Sequence, residues 1–134
     1  ALRERVFVVE QHCPYLDADG LDRASWHLLG RGGSGALVAC LRIVDADATH
    51  DAPSAPSAPS IGRVVTAPEV RGTGIGRTLF AEGLARCLGA WPGRGIRLNA
   101  QAHLERFYGE FGFVRAGEIF LEDDIPHLPM WRAP

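Results

Sequence analysis

The residues from Arg71 to Arg77, Arg-Gly-Thr-Gly-Ile-Gly-Arg, carry the densest chemical signal in the chain. They follow a β-branched run that ends at Thr66 and a ladder-breaking Pro68. They lead into Ile75, Leu79, Phe80, Leu84 and Leu88, which recur at helical spacing. Strand, turn and helix in that order put Gly72, Gly74 and Gly76 where the helix begins. The first backbone N–H groups of a helix have no internal partner, and the macrodipole adds partial positive charge there. Glycines let a bulky anion approach that backbone, and Arg71 and Arg77 add full charges. Such a turn suits a phosphate or a pyrophosphate. The alternative is a glycine-rich turn that merely opens an ordinary helix.

Two common phosphate binders are disfavoured. A P-loop needs lysine, and all 14 Lys or Arg side chains here are arginine. The dinucleotide fingerprint follows its strand at once and is answered by an acid about 20 residues later. Here Ala67 to Val70 intervene, and the next strand candidate carries Asn99 instead.

A second chemical candidate is Tyr108. With Leu104, Phe107 and Phe111 it lies at i, i+3, i+4, i+7 spacing, so its phenol points inward on a helix. A core tyrosine with a satisfied hydroxyl is the alternative.

These groups need a scaffold. Ala1 to Gln11 reads as an amphipathic helix, followed by a Pro/Asp/Gly-rich loop from Cys13 to Ala24. Strands are expected at Trp26–Gly30 and Ala36–Val44, joined by a turn at Arg31–Gly35. Residues 45–60 repeat Ala-Pro-Ser and form a flexible low-complexity loop. Ile61–Thr66 reads as a central strand, Gly74–Ala90 as a helix, and Ile96–Gln101 as a strand. A short helix over His103–Phe111 and strands near Phe113–Phe120 and His127–Arg132 complete the chain, the last two joined by the acidic turn Glu122-Asp-Asp124. The class is α+β with a mixed sheet.

The 134 residues, 46% hydrophobic and 22% charged, make a single domain spanning 1–134. A net charge of −2 leaves no footprint for nucleic acid. No apolar run reaches the roughly 20 residues needed to span a bilayer, so no membrane partner is expected. Cys13, Cys40 and Cys87 lack metal-type spacing and are read as free thiols, no metal is expected, and a cytoplasmic location follows.

Arg71-Gly-Thr-Gly-Ile-Gly76 resembles the R-x-x-G-x-G signature of the GNAT acyltransferases, and Phe107-Tyr108-Gly-Glu-Phe-Gly112-Phe113 resembles the later F-Y-x-x-x-G-F motif of that fold. Val6-Phe-Val-Val-Glu-Gln11, Cys13-Pro-Tyr15 with Asp17 and Asp19, Gln101-Ala-His103 and Ile125-Pro-His127 are similar to a bacterial ElaA-like subgroup, so the likeness covers essentially the whole chain. The resemblance implies a mostly antiparallel central sheet flanked by helices. It also implies a strand before the first helix; none precedes Ala1, and an N-terminal segment is expected to lie outside this sequence.

The implied activity is N-acetyl transfer from acetyl-CoA to a primary amine, by direct attack in a ternary complex. On this reading Arg71, Gly72, Thr73, Gly74, Ile75, Gly76 and Arg77 hold the cofactor's pyrophosphate. Val64, Val65 and Thr66 pair with the pantetheine arm and supply an oxyanion donor, Pro68 leaves their edge open, and Gln101 and Phe107 add contacts. Gln101 departs from the family, which often has Asn there. Tyr108 faces the departing sulfur. Glu10 is the leading candidate for the general base, with His27, His127 or a water chain as alternatives; His27 and His127 also belong to the acceptor site, and Asp19 sits in an acidic loop with Asp17 and Asp22 that suits a cationic acceptor. The acceptor is a small-molecule or peptide amine, and the C-terminal strands suit a homodimer. The rival function is a non-catalytic acyl-CoA-binding or sensing module.

Overall fold

The computed structural model describes residues 2–6, 22–45 and 58–134. Glu10, Asp19, Cys13 and most of the low-complexity segment lie outside them. Its strands are β1 (Trp26–Arg31), β2 (Leu37–Val44), β3 (Ser60–Thr66), β4 (Ile96–Gln101), β5 (Val114–Arg115), β6 (Phe120–Glu122) and β7 (Ile125–Arg132). Two helices, α1 (Ile75–Ala90) and α2 (Glu105–Gly109), flank β4 in sequence. One seven-stranded sheet runs β1-β2-β3-β4-β7-β5, with β6 also on β7. All pairs are antiparallel except β3 with β4. The α+β class and the mostly antiparallel mixed sheet are both as expected.

Strand β2 is apolar along almost its whole length because both of its faces are covered. Ala39, Leu41 and Ile43 join the core under α1, with Leu79, Phe80, Leu84 and Cys87 of that helix. Helix and strand meet closely at Gly83, where a Cβ would lie 2.7 Å from Leu41 Cδ2. On the other face Val38, Cys40, Val65 and Ala67 pack with Leu2 and Val6 of the helical residues 2–6.

Several element boundaries differ from expectation: β1 and β2 shift by one residue, β3 takes in Ser60 from the expected low-complexity loop, and β7 begins at Ile125 rather than His127. Gly74, in the left-handed region, caps α1 rather than joining it. The helix expected over His103–Phe111 is a 3-10 turn, Ala102–Leu104, followed by the five residues of α2. The strand expected near Phe113–Phe120 is split into β5 and β6. Pro129 explains the split: its carbonyl accepts from Ala116 N (2.8 Å), but it has no N–H to continue the ladder on that edge. The β6–β7 turn is Asp123-Asp124, both with positive φ (51° and 62°), the geometry of a two-residue type I′ hairpin.

Candidate active site

The central strands part company almost as soon as they meet. β3 and β4 share one registered pair, Ser60 with Arg97, supported by Arg97 N donating to Pro59 O at 3.1 Å. Beyond it, among the described residues, β3 is registered only with β2. A bulge accompanies the divergence: Gly62 pairs with Arg42 and Val65 with Cys40, so Arg63 and Val64 together face Leu41. Arg63 takes φ 51° to accommodate the extra residue. Bulges bend and twist a strand, which directs the rest of β3 away from β4. Among the described residues, Val64, Val65 and Thr66 therefore have no registered partner on the β4 side. The opening starts well before Pro68, so the bulge and the divergence, rather than that proline, create it.

The open edge leads into the glycine turn. Gly72 and Gly74 have φ 80° and 85°, and a Cβ on either would meet nothing within 4 Å. Glycine is required here by conformation, and it also leaves clear space above the backbone. Thr78 N donates to Gly74 O (3.1 Å), the first bond of α1, so the N–H groups just before it are those a helix leaves for other acceptors. Thr66 borders the turn: its Cγ2 is 3.5 Å from where a Gly76 Cβ would stand. Ile75 is wedged between the two apolar clusters and fixes the start of the helix. Thr73 Oγ1 donates to Val70 O.

The two arginines behave differently. Arg71 Nη2 donates to Thr66 O at 3.1 Å, tying the turn to the end of β3. Arg77 reaches α2 instead. Its Nη1 is 2.6 Å from Glu110 Oε2, and its guanidinium lies over the rings of Phe107 and Phe111.

Tyr108 sits in the core beneath α1, only 6% exposed, with Phe80 at 5.0 Å and Phe107 at 5.1 Å between ring centres. Burial pushes its phenol up to about 12. The opposite face of the sheet carries Gln101 and His127, which pair across β4 and β7. Their neighbours Ala100 and Leu128 point into the α1 core, so Gln101 and His127 point away from it. His127 Nδ1 is 2.8 Å from Ile125 O, its ring stacks on Phe120, and Nε2 is 3.5 Å from Glu122 Oε2.

Residues 43–133 match the family described as "Acetyltransferase (GNAT) domain". The chain belongs to the GNAT acetyltransferase family. Among solved structures it is similar to an acyl-CoA N-acyltransferase from Pseudomonas aeruginosa (43% identity, TM-score 0.88, covering 98% of this chain and 85% of that one). It is likewise similar to ElaA of Escherichia coli (40% identity, TM-score 0.84, 98% and 84% covered). A UPF0039 protein of Synechocystis is 44% identical over 100% of this chain and 84% of its own length.

The GNAT fold implies use of an acyl-CoA, and the residues present fit one. The open edge of β3 can take an extended arm, and the clear backbone at Gly72 and Gly74 can take a diphosphate. Among the described residues there is no cluster of metal-ligating side chains and no helix long and apolar enough to cross a membrane.

Several participants were not legible in the sequence. Asp22, read with the acidic loop, is engaged by Arg3 (2.8 Å) and by buried Arg42 (3.2 Å), and its backbone oxygen lies 2.8 Å from His27 Nε2. His27 is thereby fixed on the outer strand β1, three strands from β4 in the sheet. Arg63, Glu110 and Glu122 carried no motif. The bulge, the salt bridge to α2 and the hairpin contact each arise from pairings between segments.

Proposed function

We propose that this GNAT domain transfers an acetyl group from acetyl-CoA to a primary amine by direct attack within a ternary complex. The observation that carries the reading is the edge of β3 that has no registered strand beyond Ser60 among the described residues and leads, past the Arg71–Thr66 O bond, to a helix N-terminus opened by Gly72 and Gly74. Acetyl-CoA supplies the activated thioester. Backbone N–H groups of Gly72 to Arg77 receive its diphosphate, while Val64, Val65 and Thr66 offer main-chain pairing to the pantetheine amides. Gln101 and Phe107 flank that path. An N–H on the free edge of β3 polarises the thioester carbonyl.

Tyr108 donates a hydrogen bond to the departing sulfur and keeps its proton. With the phenol at about 12 and an ordinary thiol near 8.5, full transfer is uphill by roughly 5 kcal/mol. A hydrogen bond to developing charge requires no such transfer.

An alkylamine near pKa 10.4 must shed a proton before it attacks. His127 suits that task on the face opposite Tyr108. An N–H on Nδ1 donating to Ile125 O leaves Nε2 as the basic atom beside Glu122. Glu10 remains the rival general base, and Asp19 and His27 remain acceptor-side candidates, on the strength of the sequence. Exposed Val114, Ile119, Phe120 and Leu121 near the C-terminal hairpin support a homodimer, and the buried free thiols Cys40 and Cys87 support a cytoplasmic location.

Calorimetry with CoA, followed by a screen of amines against acetyl-CoA reading released thiol, tests the proposal. Binding with amine-dependent thiol release is expected. Binding without release for any amine would favour the sensing module, and absence of CoA binding would sink both.

A further inference from the structure

Arg77 and Phe80 stand three residues apart on α1 and so project from one face. Phe80 meets Phe107, Tyr108 and Phe111 edge-on, at 6.0, 5.0 and 4.9 Å between centres. Arg77 repeats that contact one turn closer to the glycine loop. Its guanidinium carbon is 5.4 Å from the centre of Phe107 and 5.8 Å from that of Phe111, and its Nη1 holds Glu110 just past the end of α2. α2 has five residues. A helix that short has no stability of its own, so outside contacts fix its position. Phe80 anchors it from below, and Arg77 closes over it from the side of the diphosphate turn.

We propose that Arg77 is a positioning residue: with Glu110, Phe107 and Phe111 it clasps α2 to the first turn of α1. The clasp sets the distance between the diphosphate turn and the Tyr108 phenol. This rests on the acyl-CoA reading above and changes the part played by Arg77 within it. The arginine following the glycines acts through α2, and the diphosphate is held by main chain. Both partners are about half exposed (55% and 50% for their side chains), so the ion pair contributes modestly and its loss leaves the fold intact. Stacking on two rings strengthens it.

The test compares Glu110→Ala, Glu110→Gln, Arg77→Ala, Arg77→Lys and the double Ala variant with the wild type. CoA affinity is read by calorimetry, and thioester loss is followed at saturating acetyl-CoA with ethanolamine as the amine. Amide hydrogen exchange is read over residues 103–113 and 72–80. Removing either charge is expected to leave CoA affinity within about twofold and to slow thioester loss about fivefold, the scale of one ion pair with cation–π support. Exchange over 103–113 should quicken, while in the Glu110 variants that over 72–80 holds. The double variant should be no worse than Arg77→Ala, and Arg77→Lys should recover most of the rate. Several-fold tighter CoA binding by Glu110→Ala would overturn the proposal, because it would mean the carboxylate competes with the diphosphate for Arg77. Additive losses, or unchanged exchange over 103–113, would overturn it as well. A wild type that binds no CoA defeats the acyl-CoA reading instead, and the exchange comparison still decides the clasp.

Discussion

Burial and charge pairing set what individual side chains can do here. Tyr108 lies among apolar rings that hold its phenol neutral well beyond the working range of an enzyme, which makes it a donor and never a base. Tyr108→Phe should therefore lower turnover by roughly tenfold to a hundredfold, at or below the low end of general-acid effects, with CoA affinity nearly unchanged. Equal turnover in the variant would remove Tyr108 from the chemistry. Asp22 works in the opposite direction. Hydrogen bonding from Arg3, then from Arg42, outweighs the desolvation that opposes it and holds the carboxyl below its ordinary 3.8. A depressed value in the folded state means stability that is present above 3.8 and lost as pH falls through the folded value. Asp22→Asn should cost about 1–2 kcal/mol at neutral pH, since Arg42 is buried and loses one carboxylate. Urea titrations of both forms should begin to draw together only below 3.8 and meet as pH falls past the lower folded value; a gap of constant size throughout that fall would contradict the ion-pair account.

At the scale of elements, the site is a junction between a strand that diverges and a helix that begins. Positive φ at Gly72 and Gly74 lets the chain turn from the end of β3 into α1 with its backbone exposed. Gly74→Ala should lose about 1 kcal/mol to left-handed strain. It should also weaken CoA binding roughly tenfold, a further 1.4 kcal/mol, because the new methyl enters space the diphosphate needs. Thermal melts and calorimetry separate the two effects, and a stability loss without an affinity loss would put the anion elsewhere. β7 makes the matching contribution on the far side. It aligns six successive pairs with β4, from Ile96–Arg132 to Gln101–His127, and so fixes the wall from which β3 departs.

The whole molecule is organised around Phe80, fully buried, whose ring touches Phe107, Tyr108, Phe111 and Phe113. The helix that follows the glycine turn thus shares its main contact with the motif that carries the phenol. Phe80→Ala should destabilise the protein by about 3–5 kcal/mol. Acetyl transfer should fall even where the variant remains folded, because α2 loses its seat. Denaturant midpoints together with thiol release under native conditions check this; full activity in a folded variant would show that α2 is placed by other contacts.

Read as a string, the chain settles the local questions. Apolar periodicity announces α1, the β-branched runs announce β2 and β3, and glycines before an apolar helix announce the turn that opens it, because each depends on neighbours within a few residues. The inward face of Tyr108 is legible for the same reason. Other features are fixed only when distant segments meet. Arg63 looks like one more strand residue until the β2 register forces it into a bulge. Arg77 reads only as a charge beside the glycines until α2 brings Glu110 within reach, and Asp22 reads as one more acid of its loop until Arg3 and Arg42 arrive from two other elements. Local sequence determines which backbone conformations are cheap; long-range packing, with its choice of charge partners and strand neighbours, decides where the gap in the sheet opens and which side chains border it.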